Sequence, residues 1–231
     1  MQLTMNDFEN IYAMKFVDFP NCYTTCNNGE CCQKRLTNIN DRSLMLPLLE
    51  DEYKYYKKIG GLDGLNEPKK EEFILKNGKV FRLYYLLCNK QGLCAPQANK
   101  PLICRLYPYF PKVNEKGEML GYLYASIFDV YLDKKTHYCT LVRERDDELK
   151  KQLQSAKILL KFPIFIFAFK CVEILQNHLL DYLNQSGFSE QNLAKAILFR
   201  LPFKSENFKN EISKAYDEIA KNFGDFLPNF K

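Results

Sequence analysis

Four thiols fall within eleven residues, Cys22-Tyr-Thr-Thr-Cys26-Asn-Asn-Gly-Glu-Cys31-Cys32, a C-x3-C-x4-C-C pattern. A loop that short brings its sulfurs within the few ångströms that a metal site spans. Thiolate donors select zinc, copper(I) or iron with sulfide over hard cations. Cys31 and Cys32 are neighbours, and in an extended segment adjacent side chains point to opposite sides. They would most easily serve different ions, or one ion and a supporting position. A second cluster follows: Cys88-Asn-Lys-Gln-Gly-Leu-Cys94, with Gly92 allowing a tight turn, then Cys104 and Cys139. The expected ligands are therefore Cys22, Cys26, Cys31, Cys32, Cys88, Cys94, Cys104 and Cys139. Eight sulfurs match two four-coordinate sites, one iron–sulfur cluster plus one zinc, or two clusters. The ninth, Cys171, sits in an apolar helical stretch and is expected to be core packing, because cysteine is among the most buried residue types.

Three residues are expected beside the ligands. Arg105 follows Cys104; four thiolates around one divalent ion leave a net charge of about −2, which a guanidinium with its five donors is suited to offset. Its plainer alternative is a surface ion pair. Tyr107, like Tyr109, alternates with smaller residues and reads as core- or sheet-facing. His137, two positions before Cys139, could lend an imidazole where a sulfur is missing, or be a surface histidine beside Lys134 and Lys135. The second histidine, His178, follows Gln176 and Asn177 on a helix and is expected to be structural or solvent-facing. Pro101 and Pro108 stiffen the chain around Cys104.

The elements that must position these groups divide the chain. The loop from Asn21 to Arg35 has little apolar content, so something other than a core must hold it. Asn40 offers a cap for a helix over DRSLMLPLLEDEYKYYKKI, bent at Pro47 and stopped by Gly60-Gly61. EEFILK and KVFRLYYLL flank Asn77-Gly78, a signature of a type I′ hairpin, and Cys88 ends the returning strand. A second strand pair, YFPKV and EMLGYLYASIF, brackets Asn114 to Gly117. From Asp146 the pattern turns helical, first over DDELKKQLQSAKILLKF. Pro163 opens a long helix ending at Gly187, Ser189 caps another, and Ser205 caps a last one ending at Gly224. The stripe of Phe162, Phe165, Phe169 and Leu175 is expected to be core. The expected fold class is α+β: a small antiparallel sheet and loops organised around a cysteine metal centre in residues 1–145, then an α-helical region, 146–231, packed on it.

Composition sets limits. With 46% hydrophobic and 26% charged residues in 231, neither a disordered nor a collagen-like chain fits. The net charge of +5 is modest and its lysines are scattered, which gives no case for nucleic acid. The apolar stretch from Ile158 to Leu175 is broken by Lys161, Pro163, Lys170 and Glu173, so a buried helix is expected and no membrane partner. The opening MQLTMNDFEN lacks the basic flank and apolar run of a secretory signal, which predicts a cytoplasmic protein, where clustered cysteines ligate metal more often than they form disulfides. No Walker A, G-x-G-x-x-G, G-x-S-x-G or H-E-x-x-H string occurs, and two isolated histidines leave little material for a serine triad or a conventional zinc hydrolase, so no catalytic residue is assigned.

Taken in chain order, Cys22, Cys26, Cys31-Cys32, Cys88, Gly92-Leu-Cys94, Lys100-Pro-Leu-Ile-Cys104-Arg105-Leu-Tyr107-Pro108-Tyr109 and Cys139 resemble the YkgJ-like cysteine-cluster family of zinc- or iron-chelating domains, over residues 18–145. The family's string usually opens with arginine where this chain has Lys100. The resemblance implies that the eight cysteines bind metal ions. It extends distantly to flagellin lysine N-methylase, which implies an iron–sulfur centre, S-adenosylmethionine and a protein substrate methylated on lysine. A metal carrier or sensor is the third expectation.

Overall fold

The computed structural model describes residues 3–19, 44–63, 65–88, 100–127, 129–198 and 201–230. Cys22, Cys26, Cys31, Cys32 and Cys94, the loop around the first four, and the Asn40 cap lie outside them.

The architecture is mixed α+β, with small antiparallel sheets in the amino part and helices in the carboxyl part. Helix α1 (Met5–Ala13) starts at a capping box: Thr4 Oγ1 accepts the Asp7 amide and the Asp7 carboxylate accepts the Thr4 amide. The segment 44–49 differs from expectation. It is strand β1 (Leu44–Leu49), and helix α2 (Glu50–Lys58) begins only after it. Proline inside a helix costs about 3 kcal/mol, whereas an edge strand tolerates a residue without an N–H. β1 is such an edge, paired through Pro47 and Tyr85 with β3 (Val80–Cys88), which also pairs with β2 (Lys69–Ile74) in the order β1-β3-β2. Gly60, at a φ of 74°, ends α2 as expected.

The β2–β3 hairpin forms, but its turn is one residue longer than a type I′ turn. The Leu75 amide donates to the Lys79 carbonyl and the Gly78 amide to the Leu75 carbonyl, so Lys76, Asn77 and Gly78 form the loop, with Gly78 in the left-handed position at 79°. The Asn77 side chain accepts the Lys79 amide at 3.0 Å and donates to Asp217 at 2.9 Å, which anchors the turn to the last helix. After the short helix α3 (Leu102–Leu106) a second hairpin, β4 (Tyr109–Val113) and β5 (Met119–Tyr124), forms a separate two-stranded sheet. Gly117 in its turn has a φ of 77°, and a Cβ there would lie 2.8 Å from Ile166 Cδ1, so the turn packs directly on the helix behind it.

A 3-10 turn (Asp129–Tyr131) and helix α4 (Thr140–Glu144) lead into α5 (Asp146–Gln152). The chain then tightens to a 3-10 helix, Leu153–Lys161, instead of continuing as one α-helix; Ser155 Oγ donates to the Gln152 carbonyl at 2.8 Å, competing with the backbone where the geometry changes. Helix α6 (Pro163–Ser186) has Pro163 in its first turn and Gly187 at its end. Helices α7 (Glu190–Leu198), α8 (Leu201–Lys204) and α9 (Glu206–Phe223) follow, with Ser189 and Ser205 capping α7 and α9 as expected. The tail returns to the first sheet, where the Pro228 carbonyl accepts the Val80 amide.

One core runs through both parts. Phe167, wholly buried on α6, has its ring 5.1 Å from Phe81 of β3, 6.0 Å from Tyr216 of α9 and 5.8 Å from Phe226 of the tail. Phe162, Phe165, Phe169, Leu175 and Cys171 are buried with it, as expected. Among the described residues α6 is the helix long and apolar enough to cross a membrane, and half of its most apolar window is buried within the protein.

Candidate metal centre

Cys88, Cys104 and Cys139 are the expected ligands among the described residues, and they stand on three different elements. Cys88 is the last residue of β3, opposite Leu44 of β1. By strand alternation it shares the face of Leu86, which is buried against the core, and Cys88 itself is half-buried. Cys104 is the centre of α3, between the buried Leu102 and Leu106, and is half-buried too. Cys139 is buried and immediately precedes α4, whose first turn closes on its carbonyl through the amides of Val142 and Arg143.

The backbone around Cys104 is fixed by a buried polar group that the sequence did not single out. Glu52 is 3% exposed on α2. One of its oxygens accepts both the Tyr12 hydroxyl at 2.9 Å and the Leu102 amide at 2.7 Å. Burial raises the Glu52 carboxyl above its ordinary value, and these two hydrogen bonds recover only part of that cost. From the other side Arg105 donates to the Lys100 carbonyl and, across the molecule, to the carbonyls of Tyr12 and Met14 at the end of α1. Its guanidinium lies 4.4 Å over the Tyr12 ring. The geometry therefore ties Arg105 to the exit of a neighbouring helix. Tyr107 is half-buried at the end of α3, ahead of a cis bond to Pro108.

His137 is not a surface residue: it is wholly buried beneath strand β5, its ring stacked on Tyr124 at 4.9 Å. Stacking on Tyr124 keeps the ring inside although Lys134 and Lys135 lie close in sequence. Nδ1 accepts the Cys139 amide at 3.0 Å, so the ring proton is on Nε2, which lies 3.3 Å from Asp129 Oδ2. Nδ1 is thus taken up by the backbone of Cys139, while Nε2 faces Asp129 without a well-formed hydrogen bond. Arg143 closes the same segment from outside, donating to the carbonyls of His137 and Tyr138 and to Thr140 Oγ1. His178 is a largely buried residue of α6 facing Glu211 at 3.2 Å.

The donor chemistry fits a soft metal, since sulfur is what the three elements present. Among the described residues, however, no group of three or more histidine, cysteine, aspartate or glutamate side chains is close enough to hold a metal ion. A complete ligand set would draw on Cys22, Cys26, Cys31, Cys32 and Cys94. Cys171 stands apart: it is buried on α6 and its thiol is pushed far up by desolvation alone, which makes it a poor ligand and a poor nucleophile. Glu52 and Asp129 escaped the sequence reading because each looks like an ordinary exposed acid, Glu52 among the acids that open a helix and Asp129 in a short turn.

No protein-family model, curated protein or solved structure matches the chain.

Proposed function

We propose that this chain is a metal-binding cysteine-cluster protein, with Cys22, Cys26, Cys31, Cys32, Cys88, Cys94, Cys104 and Cys139 supplying two centres of zinc or iron with sulfide. The observation that carries this reading is the sequence constellation itself, in which eight of nine cysteines lie between 22 and 139, four of them within eleven residues. What the structure adds in support is contrast. Cys171, outside the clusters, lies within the long helix α6, whereas Cys104 and Cys139 lie on or beside five-residue helices whose backbones are held by buried polar side chains, although Cys139 is itself as buried as Cys171. Such segments gain most from an inorganic cross-link; a structural zinc contributes on the order of 10 kcal/mol to folding, comparable to a domain's whole stability.

The test is anaerobic purification followed by elemental analysis and electronic and Mössbauer spectra, on the native chain and on Cys26→Ser and Cys32→Ser. About two zinc ions per chain without colour, or a brown protein with iron and acid-labile sulfide, are the expected results, with metal lost from both variants. A metal-free native protein, or variants that keep both their metal and their melting temperature, would refute the reading.

A further inference from the structure

We propose that Asp129 and His137 form a positioning pair that sets Cys139 as a ligand, an inference that rests on the metal-binding reading above. Burying a carboxylate and an imidazole costs several kcal/mol unless the groups are well paired. Here the pairing is incomplete: Asp129 is 3% and His137 0% exposed, and neither Asp129 Oδ2 nor His137 Nε2 makes a well-formed hydrogen bond among the described residues, although the two face each other at 3.3 Å. A fold with no use for the pair would bury leucine and phenylalanine there more stably.

What the pair does is fix a tautomer. The Asp129 carboxylate facing Nε2 favours the ring proton on that nitrogen, which leaves Nδ1 a lone-pair acceptor for the Cys139 amide at 3.0 Å. With the proton on Nδ1 instead, two donors would confront each other and the Cys139 backbone would be driven away. The ring plane is fixed independently. It stacks on Tyr124, whose carbonyl accepts Gln176 Nε2 of α6 at 2.6 Å. A chain of contacts therefore runs from the long scaffold helix through β5 and the imidazole to the amide of the cysteine. Partners that orient a ligand in this way typically change metal affinity by about 10- to 100-fold when removed.

The pair divides into separable atoms, and that supplies the test. His137→Asn keeps an oxygen near the position of Nδ1, whereas His137→Gln keeps a group facing Asp129 but loses the acceptor for the Cys139 amide. Asp129→Ala removes the carboxylate, and Asp129→Asn leaves a carbonyl acceptor for Nε2–H. The full chain, stripped of metal under reducing conditions, is titrated with Co²⁺ alone, reading the thiolate-to-cobalt charge-transfer band, with far-ultraviolet circular dichroism to confirm folding. The expected result is at least about a 10-fold loss of affinity and a weaker charge-transfer band for His137→Gln and Asp129→Ala, with His137→Asn and Asp129→Asn close to wild type. Wild-type affinity and band intensity in His137→Gln and Asp129→Ala would overturn the proposal, as would equal losses in all four variants, which would mark a merely structural role. Cys139→Ser separates the two levels. If it loses affinity while the pair variants do not, the positioning inference alone fails; if it binds as wild type, the ligand assignment beneath the inference fails as well.

Discussion

The two halves of the molecule bury different chemistry. In the carboxyl half the buried polar side chains among the described residues beyond α5 are Gln176 and Ser213, both neutral, set among aromatic and aliphatic residues of α6 and α9. The buried carboxyl and imidazole groups Glu52, Asp129, His137 and Asp146 all belong to the cysteine-bearing part or its boundary. The difference shows where each half finds its order. Dry packing holds the helices, and a helix pair of that size can specify itself by shape. The short helices α3 and α4, which carry or follow cysteines, add polar anchors to their buried leucines and valine. They are located one backbone group at a time, by Glu52 on the Leu102 amide and His137 on the Cys139 amide.

That contrast can be broken most severely from the dry side. Phe167→Ala is expected to destabilise the protein by about 3–5 kcal/mol, since the ring is wholly buried and touches β3, α9 and the tail. Urea unfolding measures it, and a loss below about 1 kcal/mol would mean that the two halves do not share one core. On the polar side Glu52→Leu should cost about 2–4 kcal/mol by stranding the Tyr12 hydroxyl and the Leu102 amide, while Glu52→Gln, which keeps an acceptor oxygen, should cost about 1 kcal/mol or less. Equal losses in the two variants would show that charge matters there and acceptance does not.

The same carboxyl predicts a pH effect whose sign opposes that of Asp146. Burial raises Glu52, so its favourable, protonated contribution is fully present below the unfolded value of about 4.3 and is lost as pH rises through the folded value. Asp146 is also penalised by burial, but hydrogen bonds from Lys150, Tyr109 and Lys134 outweigh that and hold its carboxyl below the ordinary value. Its contribution is present above about 3.9 and lost as pH falls through the folded value. Denaturation midpoints followed across pH should show Glu52→Gln abolishing part of the loss on the alkaline side of about 4.3. An unchanged profile would contradict it. The smallest effect is expected at Cys171→Ala, under about 1.5 kcal/mol with no loss of metal; metal loss there would dissolve the distinction between clustered and packed thiols.

Local signals were legible where they act locally. Pro163, Gly187, Ser205 and Gly224 bounded helices because a missing N–H, a left-handed φ and a capping hydroxyl act within one turn. The Asn77-Gly78 hairpin was legible in kind but not in turn length, because a three-residue loop with Gly78 in the left-handed position uses the same pair of residues. Leu44–Leu49 read as helix because its apolar run passes without a break into the acids of α2, and only pairing with β3 makes it a strand. Cys22, Cys26, Cys31, Cys32 and Cys94 lie outside the described residues, so the thiol pattern along the chain is what the metal-binding proposal rests on.

By itself the sequence determined the thiol pattern, the two hairpins and the bounds of the long helices α6 and α9, since these follow from side-chain type, period and turn chemistry along the chain. Tertiary structure alone decided which acids go inside. Glu52 meets Tyr12 forty residues earlier and Leu102 fifty later, and Asp129 meets His137 beneath β5. A carboxylate's cost of burial is offset only by partners brought from elsewhere in the chain, and no local pattern marks where they will be.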